Sequence, residues 1–171
     1  MLKFHLDYAT DFMNAYKHRG FFGFLFLNHY SHDTHENLEW CDEDLLNFLI
    51  NFDQEKSISN NTILIFMADH GPRFSNFRKS LKGFLRERNP FFSIYIPSLF
   101  KERYGEEIYS KFLSNTNKLL TPFDIHRTFL DFISLEKARS LSNLNDSRSI
   151  SLFDEIDPNR TCKQAGIDLI W

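Results

Sequence analysis

The sequence predicts an α/β domain built on a parallel sheet with helices on its faces. Three observations predict it. Six apolar residues, Ile63 to Ala68, run without a break and stop at Asp69-His70-Gly71. A run of that length bounded by turn residues suits a strand buried on both faces, as in parallel sheets. A second apolar run, Phe21 to Leu27, precedes it, and a helical pattern lies between the two. Strand, helix, strand is a βαβ unit with parallel strands. In open sheets of this kind the ligand site lies beyond the carboxyl ends of the strands, where Asp69 and His70 stand.

The chain has 171 residues, enough for one domain with a sizeable core, and 20 are Phe, a bulky aromatic supply for that core. The formal charge of −3 makes no electrostatic case for nucleic acid or a membrane surface. No apolar run approaches the ~20 residues of a membrane span, and residues 1–7 lack the apolar region of a signal peptide. The two cysteines, Cys41 and Cys162, make no disulfide framework. They read as two buried thiols, or as one buried thiol and one that has lost its partner.

In chain order, Phe4, Tyr8, Phe12 and Tyr16 recur every four residues and predict a helix over 1–20 with that stripe inward. Gly20 supplies a stop. The strand Phe21–Leu27 follows. A helix is predicted from about Asn37 to Phe52, with acids at its N-terminal half where the helix dipole favours them. Residues 53–61 read as a loop before the central strand. The basic segment 73–88 also reads as a loop. Phe91 to Ile96 reads as a third strand ended by Pro97. Helices are predicted over about 106–119 and from Thr121 to near Ser134. The second opens with a capping threonine, a first-turn proline and Asp124, and carries Ile125, Phe129, Phe132 and Ile133 inward. Residues 138–147 read as an exposed serine-rich loop and 149–153 as a short edge strand; the remainder to Trp171 reads as irregular.

Asp69 and His70 are the leading chemical candidates. A carboxylate and an imidazole ligate zinc and other divalent ions, and both side chains can converge where a strand breaks into a turn. The alternative is that Asp69 caps the next segment and His70 makes a structural hydrogen bond. His29, His32, Asp33 and His35 cluster after the earlier strand. Each histidine alone reads as an exposed loop residue; as a group they can share the Asp69 site, His32 first among them. Arg73, Arg78, Lys79, Lys82, Arg86 and Arg88 can hold a phosphate or sulfate through one or two of their number, the rest being solvated. His126, on a first helical turn, reads as a packed or capping residue. No Gly-rich phosphate loop is present. No serine, threonine or cysteine stands in a strong nucleophile setting.

Taken together, several segments resemble a known family. They are Phe21-Phe22-Gly23-Phe24 leading to Ser31-His32-Asp33, Asn61 through Arg73, Gly83 through Pro90, Leu120 through Thr128, and Ser151-Leu152-Phe153 followed by Arg160-Thr161-Cys162. In order and over most of the chain, they resemble the domain-of-unknown-function 229 family, abundant in nematodes, within the sulfatase and alkaline-phosphatase-like superfamily. The resemblance implies a single domain over 1–171, the C-terminal portion of a three-layer α/β/α fold with a mainly parallel sheet and an irregular tail over 139–171. It implies a divalent metal (zinc, calcium or manganese) at Asp69 and His70. It places His32 and Lys82 against the anion of a phosphate- or sulfate-ester substrate, with Asp33 and His126 as further site residues. The family pattern has paired acids shortly before Pro90, where this chain has Arg86 and Glu87. The superfamily's nucleophile and first metal-binding acid would precede residue 1, so the chain reads as a fragment or truncated member, inactive alone. Cys162 then reads as a half-cystine of a secretory protein. The alternative expectation is a non-catalytic extracellular binding or structural protein that keeps the fold.

Overall fold

The computed structural model describes residues 2–32, 36–73, 76–133 and 148–168. The chain is a mixed α and β protein, with seven α-helices and one two-stranded sheet among the described residues. It divides into two compact units, Met1–Leu99 and Phe100–Trp171.

In the first unit, α1 (Leu2–Tyr16) and α2 (Asp42–Gln54) share a core of Leu2, Leu6, Met13, Cys41, Phe48 and Phe52, with Ile58 from the short α3 (Lys56–Ser59). The helix over the first residues forms as predicted, but a different stripe is inward. Leu2, Leu6, Ala9 and Met13 face the core, while Phe4 and Tyr8 are exposed. Both stripes have helical spacing, and the flexible aliphatic one meets α2. Before α2 the chain runs as a 3-10 helix, Glu36–Cys41, so the α-helix starts five residues later than predicted. The loop predicted at 53–61 contains α3, whose first turn is capped by the Glu55 carboxylate accepting from the Ser57 N–H.

The sheet is the main departure. Strand β1 (Leu64–Met67) pairs antiparallel with β2 (Phe92–Tyr95), with Leu64 opposite Tyr95 and Met67 opposite Phe92. The expected parallel βαβ unit is absent among the described residues for two reasons. First, Phe21–Leu27 is extended but joins no ladder; Phe21 and Leu27 pack on the core, whereas Phe22, Phe24 and Phe26 are 85%, 76% and 67% exposed. Second, the segment after β1 returns to the end of β1 instead of crossing over. The Ala68 N–H donates to Phe91 O and the Gly71 N–H to Glu87 O. A chain that comes back to the end it left must run antiparallel. One sheet face is covered: Phe66 meets Phe48 edge-on and Tyr95 meets Phe52 edge-on. On the other face Met67 is 49% exposed, so β1 is half-buried where burial on both faces was expected.

The basic segment is helical, not a loop. A 3-10 helix spans Asn76–Lys79 and α4 spans Leu81–Arg88. Ser80 caps α4, its hydroxyl accepting from the Gly83 N–H at 3.1 Å. Arg86 and Arg88 sit in the last turn, where the helix dipole favours cations. A β-carbon on Gly83 would lie 2.0 Å from Phe77 O, so glycine lets the 3-10 helix pack against α4.

The second unit begins along α5 (Ser98–Tyr104), which the sequence did not predict, and continues with α6 (Glu106–Ser114), a 3-10 turn at Asn115–Asn117, and α7 (Pro122–Ile133). Its apolar centre is Phe153, fully buried against Phe100, Phe112 and Phe132 at centroid distances of 5.0, 5.9 and 5.5 Å. The inward face of α7 differs from the expectation: Asp124, Thr128 and Asp131 are buried and Ile133 is 81% exposed. The reason is the chain that packs there. The predicted edge strand over 149–153 does not form; the segment lies along α7 through side chains. The Ile150 N–H donates to Asp124 Oδ1 at 2.8 Å and the Leu152 N–H to Thr128 Oγ1 at 2.9 Å. Alternate residues of an extended chain are about 6.6 Å apart and residues four apart on a helix about 6 Å, so the two pitches match.

Arg160 completes this core. Its guanidinium donates to both Asp124 oxygens, at 2.8 and 3.1 Å, and to the carbonyls of Leu119 and Arg148. Asn115 closes the other end, donating to Leu152 O and Asp154 O and accepting from the Ile156 N–H. No helix or strand occurs over 148–168. The predicted loop at 138–147 lies outside the described residues. Cys41 is buried and Cys162 exposed, so the reading of two buried thiols is excluded.

Candidate metal and anion site

The Asp-His-Gly turn follows directly from β1 and is fixed by α4. A β-carbon on Gly71 would fall 2.2 Å from Arg86 O and 2.9 Å from Glu87 Cα. Only glycine admits this approach, and the Gly71 N–H then bonds to Glu87 O at 3.0 Å. The turn is thus clamped to the last turn of α4, and the two side chains before it are displayed at a defined place.

Asp69 accepts from the His70 N–H through Oδ1 at 3.0 Å, which orients the carboxylate. His70 Nδ1 lies 2.8 Å from Gly71 O. A carbonyl oxygen only accepts, so Nδ1 carries the proton, and the lone pair of the neutral ring is on Nε2. That atom faces Asp69 Oδ2 at 3.5 Å. Two ligands about 2.0–2.1 Å from one zinc at a tetrahedral angle stand about 3.4 Å apart. The pair therefore fits two neighbouring ligands of a divalent ion, with the backbone carbonyl supplying the orienting contact that ligating histidines commonly have. His70 is partly buried and Asp69 mostly exposed, so the paired atoms are reachable from solvent.

Beside the turn is a cluster whose members the sequence reading named but whose pairing it did not give. Glu87, with its side chain 10% exposed, is met by three guanidiniums. Arg78 donates to it twice, from Nε at 2.6 Å and from one terminal nitrogen at 3.2 Å. Arg88 donates at 3.3 Å, and Arg73 Nε stands at 3.8 Å. The hydrogen bond from Arg78 holds the Glu87 carboxyl below its usual range, aided by the charges of Arg78, Arg88 and Arg73 and opposed by burial. The family pattern of paired acids offered Glu87; its partners were hidden because Arg78 is nine residues earlier, across the 3-10 helix.

The other predicted residues fall as follows. His32 ends an exposed turn, its N–H bonded to Asn28 O. Asp33 and His35 lie outside the described residues. Lys82 is exposed on the first turn of α4, whereas the Asp-His-Gly turn meets the last. His126 is exposed on α7, in the second unit. Among the described residues, no group of three or more His, Cys, Asp or Glu side chains is gathered as for a metal ion. No helix of the described residues is long and apolar enough to cross a membrane.

A family model described as Protein of unknown function (DUF229) matches residues 2–171. No curated protein and no solved structure matches the chain.

Proposed function

The chain belongs to the DUF229 family, matched over residues 2–171, and we propose from that premise that it carries half of a divalent-metal site serving phosphate- or sulfate-ester chemistry. The observation that supports the reading is the 3.5 Å approach of His70 Nε2 to Asp69 Oδ2, with Nδ1 engaged by Gly71 O. When bound, a divalent ion supplies Lewis-acid polarisation of an ester oxygen. Asp69 and His70 bind; Gly71 and α4 orient them; the neighbouring basic residues attract the ester anion, with His32 and Lys82 as the contacts that the superfamily resemblance suggests. Within the superfamily this arrangement sits in a three-layer fold with a mainly parallel sheet, and we extend that architecture to the whole family domain. The chain alone is proposed to be inactive, since no serine, threonine or cysteine stands in a strong nucleophile setting in its sequence.

Zinc, calcium and manganese titrations by calorimetry, with Asp69→Ala as control, test the metal half. Binding by the parent chain that is lost in the variant is the expected result; equal heats for both would remove the proposal. Turnover of an aryl phosphate or sulfate by the parent chain, abolished in Asp69→Ala, would overturn the claim of inactivity.

A second reading has its own support. The described residues gather two donors where a resident ion commonly takes four or more. A non-catalytic extracellular binding or structural role requires no more than the fold. It predicts no difference in metal-titration heats between the parent chain and Asp69→Ala, whereas the metal reading predicts loss of binding in the variant.

A further inference from the structure

Around Glu87 the charges do not balance. One carboxylate faces Arg73, Arg78 and Arg88, which leaves two positive charges in excess. Arg78 and Arg88 alone satisfy both Glu87 oxygens. Arg88 is otherwise occupied: its guanidinium lies 3.7 Å from the Phe84 ring centroid and donates to Phe84 O. Arg73 is not needed for the pair. At 3.8 Å its Nε is beyond hydrogen-bond distance, its terminal nitrogens have no hydrogen-bond partner among the described residues, and its side chain is 50% exposed. Arg78 is also 50% exposed and holds Glu87 by Nε and one terminal nitrogen, which leaves the other terminal nitrogen directed elsewhere. A cluster of like charges costs energy unless an anion joins it.

We propose that Arg73, together with Arg78 held in place by Glu87, forms a binding site for the dianionic phosphate of a phosphomonoester. This deepens the ester reading above and rests on it for the nature of the ligand, but the site needs no metal. Guanidinium forks match tetrahedral oxyanions and give charge-assisted hydrogen bonds. The charge count selects among esters. A phosphomonoester has its second pKa at about 6 and is a dianion at neutral pH; a sulfate monoester is a monoanion. Two excess positive charges match the former. Glu87 acts as a positioning residue: its backbone carbonyl holds the Gly71 N–H and its carboxylate holds Arg78, so one residue sets the distance between the anion site and Asp69–His70.

The test is binding of phenyl phosphate and phenyl sulfate to the full chain at about pH 8, at low salt and with a chelator present. Phenyl phosphate is expected to bind about tenfold more tightly than phenyl sulfate, as one charge-assisted contact allows, and to weaken as salt rises. Arg73→Gln is expected to reduce phenyl phosphate affinity about tenfold without changing the thermal melt, because it breaks no hydrogen bond of Glu87. Arg78→Lys keeps one cation beside Glu87 and is expected to reduce affinity by a similar factor. Equal affinity for the two esters, or undiminished phosphate binding in the Arg73→Gln/Arg78→Lys double variant, would overturn the proposal. Failure of the metal reading registers separately, as absent zinc binding with phosphate binding intact.

Discussion

Asp124 is the residue whose loss the second unit should tolerate least. It is fully buried and accepts five hydrogen bonds: from the Thr121 N–H and hydroxyl, from the Ile150 N–H, and twice from the Arg160 guanidinium. Asp124→Ala removes the only carboxylate that Arg160 contacts among the described residues, and the Arg160 side chain is 3% exposed. An uncompensated buried charge costs about 3–5 kcal/mol. The orphaned N–H groups of Thr121 and Ile150 add about 1 kcal/mol each where water does not reach them. With partial relaxation the expected loss is about 4 kcal/mol, a large part of the 5–15 kcal/mol that holds a typical domain folded. Urea denaturation followed by circular dichroism reads it. The ion pair itself is predicted to contribute little net stability, because both ions were desolvated to form it. Asp124→Leu with Arg160→Met should therefore recover about 2 kcal/mol relative to Asp124→Leu alone. A loss below about 1 kcal/mol in Asp124→Ala, or a double variant no more stable than the single one, would refute the reasoning.

Three further outcomes are expected. Gly71→Ala places a β-carbon 2.2 Å from Arg86 O, so it should cost about 1–3 kcal/mol, the range for overpacking, and should also abolish zinc binding; a full-affinity titration in the variant would contradict the clamp by α4. Glu87 has a folded-state pKa below its usual 4.5, so its contribution to stability is present above about pH 4.5 and is lost as pH falls through the folded value. Glu87→Gln should thus narrow its stability gap from the parent chain on acidification, and a gap independent of pH between about 3 and 6 would exclude the linkage. Cys162 is exposed, while Cys41 is buried with its thiol pKa pushed up by desolvation, so a thiol reagent should modify one cysteine quickly and the second only on unfolding; two fast thiols would place Cys41 wrongly.

The elements most readable in the sequence were those whose signal is local. Thr121-Pro122 with Asp124 three residues after the cap marks a helix start, and α7 begins there. Periodicity marked α1 as a helix but not its buried side, since Leu2-Leu6-Ala9-Met13 and Phe4-Tyr8-Phe12-Tyr16 both repeat correctly and only α2 distinguishes them. The runs Phe21–Leu27 and Ile63–Ala68 look alike, yet one pairs and one does not, because a strand is defined by its neighbour. Helix α4 was obscured by its charge, although Ser80 followed by Gly83 held the cap. For the site, Asp69 and His70 could be named from their position after an apolar run; the Arg73, Arg78 and Arg88 convergence on Glu87 could not, as it depends on two glycines admitting backbone contacts.

The attachment of 150–152 to α7 has a consequence for how securely the chain is threaded. A ladder between backbones is blind to sequence, and it can slip by two residues and still satisfy every group. Here the acceptors are two particular side chains, Asp124 and Thr128, one helical turn apart. A slip by two residues would leave one of them empty, would lift Phe153 out of its aromatic socket and would carry Arg160 away from its carboxylate. The segment has one address on the helix, written in side chains, and any insertion between Ile150 and Arg160 must be absorbed as a bulge or lose the address altogether.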